Sequence, residues 1–347
     1  MVIAAGGTAG HVVPALAVAD ALRADGTEVS FVGGERAERE LVPAAGYKIE
    51  TLSVEGLARD NVLKAARAAL KSVGAFFRSV GLLRRLKPDV VVGGGGYVAG
   101  PVGAAAVLLR IPLVLTEADS HLGLTNRMLA PFAKRVCLAF ALDGRNPPRF
   151  LVTGRPVPPP FTDRAAARAQ FGLGEDDTVV LVFGGSLGAR SINEAAVEAF
   201  RAAPFHVLHA AGARDYAALV PKVDGAAQYD LREYISPFGP ALAASDLVVA
   251  RAGGSIFEVA AHGRPALLVP YPYASADHQS ANARWMADGG AAVVVSDAEL
   301  TPERLAREVA DLLHDRTRLA AMARASAELA RPDAAQDVAT EVRRAAA

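Results

Sequence analysis

One unit repeats along this chain and limits its fold: a short run of β-branched residues, a glycine turn, and a helix rich in alanine and leucine. Residues 2–5 lead into GGTAG at 6–10, and residues 178–183 lead into GGSLG at 184–188. Similar apolar runs occupy residues 29–32, 89–92, 112–115, 246–250 and 265–269. Continuous apolar strands that alternate with helices are typical of parallel sheets covered on both faces.

The two glycine turns begin at Gly6 and Gly184, about half the chain apart, and a stiff segment, Pro-Val-Pro-Pro-Pro at 156–160, lies between them. We therefore predict an α/β protein of two doubly wound, Rossmann-like domains that face each other across a cleft. The predicted domains are residues 1–155 and 156–332. A terminal helix at 333–347, after Pro332, is compatible with packing on the first domain.

Composition excludes several classes of protein. Hydrophobic residues make up 52% of the 347 positions, and 37 basic residues balance 37 acidic ones, so we expect a globular protein that does not bind nucleic acid. A single cysteine, Cys137, excludes an internal disulfide. The N-terminus lacks a signal-peptide pattern, and Arg110 and two prolines interrupt the most apolar stretch, residues 97–116. We expect a cytosolic or peripheral membrane protein.

The glycine turns indicate a phosphate or an anionic sugar as ligand, because such turns present backbone N–H groups at a helix N-terminus. For either glycine turn alone, a tight strand-to-helix turn that binds no ligand is an equally good explanation. Neither turn has the Walker A or GxGxxG spacing, which argues against ATP or NAD. The chain contains no Asp-x-Asp and no His/Cys cluster with metal spacing, so we expect no metal and no cofactor. Helix N-termini and hydrogen bonds would then stabilise a leaving diphosphate.

Two side chains at predicted helix starts suggest chemistry. His11 follows the first turn, where the helix dipole favours the neutral imidazole that a general base requires, although a capping role fits as well. Glu258 lies about one turn into the helix after Gly253-Gly254-Ser255, where a carboxylate can accept from ribose hydroxyls. An ordinary solvated glutamate is the alternative. A polar cluster at 277–282 follows a buried strand.

Six segments in order resemble the signature segments of one family: GGTAGHVVPALAVA, GGGGYVAGP, LTEADSHLGLTNR, GGSLGARSIN, RAGGSIFEVAAHGRPALLVPYP and DHQSANA. The family is MurG, the UDP-N-acetylglucosamine:undecaprenyl-diphospho-muramoylpentapeptide N-acetylglucosaminyltransferases. The resemblance spans nearly the whole chain. It implies the GT-B architecture, with UDP-N-acetylglucosamine held mainly by the second domain. It also implies an inverting reaction, in which the muramoyl 4-hydroxyl of lipid I attacks C1 of the sugar to give lipid II.

The resemblance also implies roles by position, with His11 as the general base. The residues implied to contact UDP-N-acetylglucosamine are Thr8, Ala9, Gly10, Asp119, Arg155, Ser186, Ile235, Gly254, Ser255, Ile256, Phe257, Glu258 and Gln279. Those implied to contact lipid I are Gly96, Tyr97, Glu117 and Asn126.

Two departures from the family pattern leave some of these contacts open. The family's His-Glu-Gln-Asn is Thr-Glu-Ala-Asp at 116–119, so Asp119 replaces an asparagine. The family's Gly-Asn-Pro-Val-Arg is Gly-Arg-Pro-Val-Pro at 154–158, where Arg155 stands near the position of the missing arginine. An altered donor or acceptor preference remains an alternative.

Residues 59–87 are strongly basic, with Asp60 as the single acid. The basic residues are Arg59, Lys64, Arg67, Lys71, Arg78, Arg84, Arg85 and Lys87, and Phe76 and Phe77 lie among them. The pattern predicts either a core-packed helix with a solvated basic face or an amphipathic helix on an anionic membrane. Because lipid I stays in the bilayer, the resemblance favours docking at the cytoplasmic face of the bacterial membrane, and it admits cell-wall or division proteins as partners.

Three other functions fit parts of the pattern. Another GT-B glycosyltransferase would act on a glycolipid or natural product. A UDP-N-acetylglucosamine 2-epimerase would turn over the donor without an acceptor, but needs more acid/base groups than His11, Glu117 and Glu258. A nucleotide-sugar-binding protein would bind UDP and release none.

Overall fold

The computed structural model describes residues 1–54, 62–185, 187–274 and 277–347, and for residues 62–70 the backbone alone. The chain divides into two compact units. The first comprises Met1–Pro158 and Arg331–Ala347, and the second comprises Pro159–Ala330. The division lies within the proline-rich segment that separates the two glycine-turn patterns.

The described part of the first unit is built on a seven-stranded sheet in which every pairing is parallel. Its strands are β1 (Val2–Ala4), β2 (Ser30–Gly33), β3 (Lys48–Thr51), β4 (Val91–Gly93), β5 (Leu113–Glu117), β6 (Arg135–Leu138) and β7 (Phe150–Val152). The order across the sheet is β3-β2-β1-β4-β5-β6-β7. The winding direction reverses between β1 and β4, and doubly wound sheets bind ligands at the carboxyl ends of the strands at such a point.

Helices cover both faces of this sheet. They are α1 (Ala9–Ala24), α2 (Glu38–Ala44), α3 (Val62–Leu86), α4 (Ala99–Leu108) and α5 (Leu124–Leu129), followed by a 3₁₀ turn at Ala130–Phe132. One buried cluster includes Ile3 and Phe31, and the other includes Val32 and Leu115. Neighbouring strand residues thus point to opposite, equally apolar layers, which explains the continuous apolar runs in the sequence.

The second unit repeats this topology. Its strands are β8 (Val179–Phe183), β9 (His206–Ala210), β10 (Tyr229–Arg232), β11 (Leu247–Ala250), β12 (Ala266–Leu268) and β13 (Ala292–Val294). Its helices are α6 (Arg164–Gln170), α7 (Arg190–Phe200), α8 (Ala213–Leu219), α9 (Gly239–Ala244), α10 (Ile256–Ala261), α11 (His278–Asp288), α12 (Pro302–His314) and α13 (Arg316–Leu329), with 3₁₀ turns at Val220–Lys222 and Asp297–Glu299. The parallel order among the described residues, β10-β9-β8-β11-β12-β13, again reverses at its centre. The predicted pair of doubly wound, parallel α/β domains is confirmed.

The last helix, α14 (Ala334–Ala346), belongs to the first unit although it follows the second in sequence. It packs against α1 and β5, and Val338, Ala339 and Val342 are fully buried in the same cluster as Ile3. Arg135 on β6 pairs with Glu341 at 2.9 Å. The first unit is therefore completed by the chain terminus.

Helix α3 has one buried side and one exposed side. Ala75, Leu82 and Leu83 are buried in the core, whereas Val73 and Phe77 are exposed. Residues 55–61, which include Arg59 and Asp60, and the side chains of Lys64 and Arg67 lie outside the described residues. None of the helices in the described residues combines the length and apolar character needed to cross a bilayer.

Candidate active site

The first glycine turn joins β1 to α1 and is held by a carboxylate from α2. Gly7 has φ +112°, a left-handed conformation that glycine adopts without strain. Its N–H donates to Oε2 of Glu38 at 2.9 Å, and Glu38 is fully buried. The expectation that this turn presents free N–H groups to a phosphate therefore fails at Gly7, whose donor already has a partner.

His11 lies in the first turn of α1 with its ring against Gly95. A Cβ at Gly95 would lie 2.6 Å from His11 Cδ2, so the close approach requires glycine there. Burial lowers the pKa of His11, and the positive charge of Arg155 lowers it further, while Asp119 and Glu38 oppose the shift. Its imidazole is therefore neutral near pH 7. The buried Nδ1 has no hydrogen-bond partner among the described residues.

A pocket of about 200 Å³ opens at the carboxyl ends of β4 and β5. The predicted site residues that line it are His11, Gly96, Glu117, Asp119 and Asn126. A smaller adjoining cavity is lined by Gly10, Glu117 and Arg155. Of the remaining predicted residues, Thr8 is exposed before α1, Ala9 begins that helix, and the Tyr97 hydroxyl donates to Glu38 at 3.4 Å.

Glu117 is buried, and its carboxylate is fully used within its own loop. Oε1 accepts from the N–H groups of Ala118 and Asp119 at 3.0 and 3.2 Å. Oε2 accepts from Gly123 N at 2.8 Å and from Asn126 Nδ2 at 3.0 Å. A carboxylate offers about four acceptor positions, so none is left for a sugar hydroxyl. Glu117 therefore positions the loop between β5 and α5, and its predicted contact with an acceptor stays a prediction.

Arg155 is also buried, and its guanidinium donates to the carbonyl oxygen of Gly10 at the start of α1. This places a permanent positive charge beside His11. Within the first unit, Arg155 anchors the first turn of α1, and its charge lowers the pKa of His11.

In the second unit, the loops after β11 and β12 are joined by side chains. Arg251, at the end of β11, donates to the carbonyls of Val269 and Pro270 and pairs with Asp297 at 2.6 Å. It also donates to Ser191 on α7 at 2.8 Å. One buried guanidinium therefore fixes the carboxyl ends of β11, β12 and β13, directly before the turn Gly253-Gly254.

The predicted donor-binding residues lie on these loops. Gly254 and Ser255 precede α10, Ile256 and Phe257 are buried at its start, and Glu258 is in its first turn. Gln279 accepts from the N–H of Tyr271 at 2.9 Å, and its Nε2 is 3.9 Å from the Cβ position of Gly253. Ile235 is half-buried after β10. Ser186, predicted beside the diphosphate, lies outside the described residues.

A buried polar chain lies beside the second glycine turn. Asn193 Nδ2 donates to Asp215 Oδ2 and to Ala211 O, so its Oδ1 must accept from His209 Nε2 at 3.1 Å. That leaves Nδ1 of His209 to accept from the Tyr229 hydroxyl at 2.8 Å. Burial lowers the pKa of His209 to about 3, so this histidine stays neutral. The chain is structural, and it fixes α7, whose N-terminus follows the turn.

Comparisons with known proteins agree with this geometry. Residues 1–138 match the glycosyltransferase family 28 N-terminal domain, and residues 179–338 match the family 28 C-terminal domain. The UDP-N-acetylglucosamine–N-acetylmuramyl-(pentapeptide) pyrophosphoryl-undecaprenol N-acetylglucosamine transferase of Moorella thermoacetica is 42% identical, over 97% of this chain and 96% of the relative. The crystal structure of Acinetobacter baumannii MurG is 34% identical, with a TM-score of 0.76 over 99% of each chain.

This chain belongs to the MurG family. The predicted enzyme class, a glycosyltransferase, is confirmed. A UDP-N-acetylglucosamine 2-epimerase from Neisseria meningitidis, bound to UDP-GlcNAc, is similar at a TM-score of 0.70 but only 14% identical. That likeness shows a shared fold alone.

Four residues that organise the loops at the carboxyl ends of the strands were not predicted from the sequence. They are Glu38, Arg251, Asn193 and Asp215. Arg251 is the first residue of the segment RAGGSIFEVAAHGRPALLVPYP, directly before Ala-Gly-Gly, so the sequence did mark it as a candidate. Glu38 had none, because its partners Gly7 and Tyr97 are 31 and 59 positions away.

Proposed function

We propose that this chain transfers N-acetylglucosamine from UDP-N-acetylglucosamine to the muramoyl 4-hydroxyl of lipid I, forming lipid II with inversion at C1. The observation that carries the proposal is the neutral His11 on a pocket at the carboxyl edge of the first sheet. A neutral imidazole can take the proton of an attacking hydroxyl. The identity with enzymes named for this reaction supports the same substrates.

The donor is proposed to bind the second unit at the carboxyl ends of β8 and β11. Glu258, in the first turn of α10, accepts hydrogen bonds from the ribose hydroxyls, and Ile235 contacts the uracil. Gln279, held by Tyr271, contacts the sugar. The N-terminus of α7 faces the diphosphate with its positive dipole end, which stabilises charge as UDP leaves.

The acceptor is proposed to bind the first unit in the 200 Å³ pocket. Asn126 is buried there with both Nδ2 hydrogens donated, to Thr116 O and to Glu117. Its buried Oδ1 has no partner within the described ranges, and it is suited to accept from a sugar hydroxyl. Asp119, also on this pocket, can accept a second one.

The membrane surface is proposed to meet the first unit on α3 and α5, at the cytoplasmic face of the cell membrane. Helices α3, α4 and α5 pack in series, and a 3₁₀ turn follows α5. Exposed apolar side chains on these elements include Phe77, Met128 and Phe132, at 67%, 65% and 64% exposure. Cationic side chains accompany them at Lys71, Arg78, Arg84, Arg85, Arg127 and Lys134. Aromatic and basic side chains together suit an anionic lipid interface.

The experiment that tests the reaction measures UDP release from UDP-N-acetylglucosamine with and without a lipid I analogue. We expect release only with the analogue. Donor turnover without acceptor would indicate a 2-epimerase, and release with an unrelated glycolipid or natural-product acceptor alone would indicate another GT-B enzyme. Binding of UDP without release in any mixture would indicate a binding protein.

A further inference from the structure

Glu38 is a buried carboxylate to which the reaction assigns no role, and it joins three loops. It is the first residue of α2 and is fully buried. Its Oε2 accepts from Gly7 N, and its Oε1 accepts from Gly34 N at 2.8 Å and from the Tyr97 hydroxyl at 3.4 Å. Gly7, Gly34 and Tyr97 follow β1, β2 and β4 respectively, which are neighbours in the sheet. One side chain therefore holds the carboxyl edge of the sheet where the winding reverses.

The space for this carboxylate is built into the backbone. A Cβ at Gly6 would lie 2.9 Å from Oε1 of Glu38, and one at Gly34 would lie 2.8 Å from the same atom. A Cβ at Gly33 would lie 2.7 Å from Cγ. Three glycines at the carboxyl ends of β1 and β2 thus form a cradle that any larger residue would close, so these glycines accommodate an internal side chain.

A glycine turn before a helix commonly binds a phosphate through its backbone N–H groups. In this chain the N–H of Gly7 already donates to the carboxylate of Glu38. A second anion there would be repelled by Glu38 and could not accept a hydrogen bond from Gly7. Tyr97 is held in the same cluster, with the guanidinium of Arg36 5.3 Å from its ring centroid. Burial raises the pKa of Tyr97, and the charge of Glu38 raises it further, so its hydroxyl remains a donor.

We propose that Glu38 is an internal carboxylate that occupies the phosphate position of the first glycine turn. It closes this turn to phosphates and positions Tyr97 and the turn before His11 for an uncharged sugar hydroxyl. The positioning part rests on the proposed function, whereas the occupancy part is independent of it.

The first experiment replaces the carboxylate with a small anion. Glu38→Ala leaves a cavity lined by the N–H groups of Gly7 and Gly34, and we expect formate to bind it. Formate should raise the melting temperature of Glu38→Ala with saturation, and should leave the parent and the control Glu40→Ala, exposed on the same helix, unchanged. A folded Glu38→Ala protein that does not respond to formate would overturn the occupancy.

The second experiment uses Glu38→Gln, which keeps the shape if Glu38→Ala does not fold. The amide NH₂ then faces N–H donors. Loss of a hydrogen bond to a charged acceptor changes an equilibrium constant by roughly tenfold or more. We expect kcat to fall about tenfold or more, with little change in KM for UDP-N-acetylglucosamine. Parental kcat in Glu38→Gln would overturn the positioning role. If the parent itself transfers no sugar, the proposed function fails, while the formate response still decides the occupancy.

Discussion

At the residue scale, the neighbours of His11 set its protonation. Burial and Arg155 both lower its pKa from 6.5, and the opposing influence of Asp119 and Glu38 is smaller. The proposed general base must be unprotonated, so we expect activity to persist below pH 6.5 and to be lost as the pH falls through the lowered pKa of His11. The charge at position 155 therefore extends the working range toward acid.

The first prediction concerns this charge. Arg155→Gln removes a positive neighbour, so the pKa of His11 should rise and the acidic limb of kcat/KM for the acceptor should move to higher pH. Arg149→Gln, an exposed cation of the same unit, is the control and should leave the limb in place.

His11→Ala should lower turnover by about 100- to 10,000-fold without a comparable loss of donor affinity. A His11→Ala variant with near-parental turnover would remove it from the base role.

The second prediction concerns Glu258. A carboxylate that accepts from ribose hydroxyls contributes about 1.5–3 kcal/mol, so Glu258→Ala should weaken UDP binding by about 10- to 100-fold. Most of the loss should appear in the donor KM. Glu198→Ala, exposed on α7, is the matched control. Titration calorimetry with UDP measures the effect, and equal affinity in the two variants would contradict the ribose contact.

At the element scale, helix α3 has one face in the core and one face that is exposed. Phe76, which lies among the basic residues beside Phe77, is half-buried and packs against the core. Arg85, one of the basic residues, pairs with Glu50 at 2.7 Å. The surface proposed for lipid therefore depends on Phe77 of α3 together with Met128 of α5 and Phe132 of the 3₁₀ turn that follows it.

The third prediction tests this surface. Replacing Phe77, Met128 and Phe132 together by serine should weaken sedimentation with anionic vesicles by about tenfold or more, since each side chain contributes up to about 1.5–3 kcal/mol when fully buried. UDP affinity should stay parental. Val220→Ser, exposed in the second unit, serves as the control. Binding should also weaken as salt is raised. A triple variant that sediments like the parent would locate the docking surface elsewhere.

At the scale of the whole molecule, the chain leaves the first unit at the proline-rich segment and returns to it at Arg331. The return matters because α14 supplies buried side chains to one face of the first sheet. The stability of the first unit therefore depends on α14, whereas one hydrophobic core cluster of the second unit is formed entirely from residues 180–322.

The fourth prediction uses this asymmetry. Val342→Ala should destabilise the first unit by about 2 kcal/mol, through lost burial and a small cavity. Gln336→Ala, exposed on the same helix, should cost less than about 0.5 kcal/mol. Trp285, the single tryptophan, reports on the second unit, so its unfolding transition should not move. Faster amide exchange confined to β1 and β5 is expected in Val342→Ala, and unchanged exchange there would contradict the role of α14.

The strands on either side of each sheet's reversal point were readable from the sequence. Strands β1, β4, β8 and β11 coincide with predicted apolar runs, because a strand between two others in a sheet covered on both faces must be apolar throughout. Edge strands such as β3, Lys48–Thr51, were missed. Three of its four residues are exposed, so no continuous apolar run marks it.

The positions of the glycine turns and of His11 on the pocket also followed from the sequence, because both depend on the local strand-turn-helix unit. Only the tertiary structure decided which side chains complete those turns. Glu38 reaches Gly7 and Tyr97, and Arg251 reaches Asp297, across gaps of dozens of residues. Glu117 was predicted to bind an acceptor, yet the fold directs four donors of its own loop onto it. A buried carboxylate is stabilised by whichever donors the fold brings to it. For Glu38 these come from distant segments, and for Glu117 from a loop whose conformation the strand-turn-helix pattern does not specify.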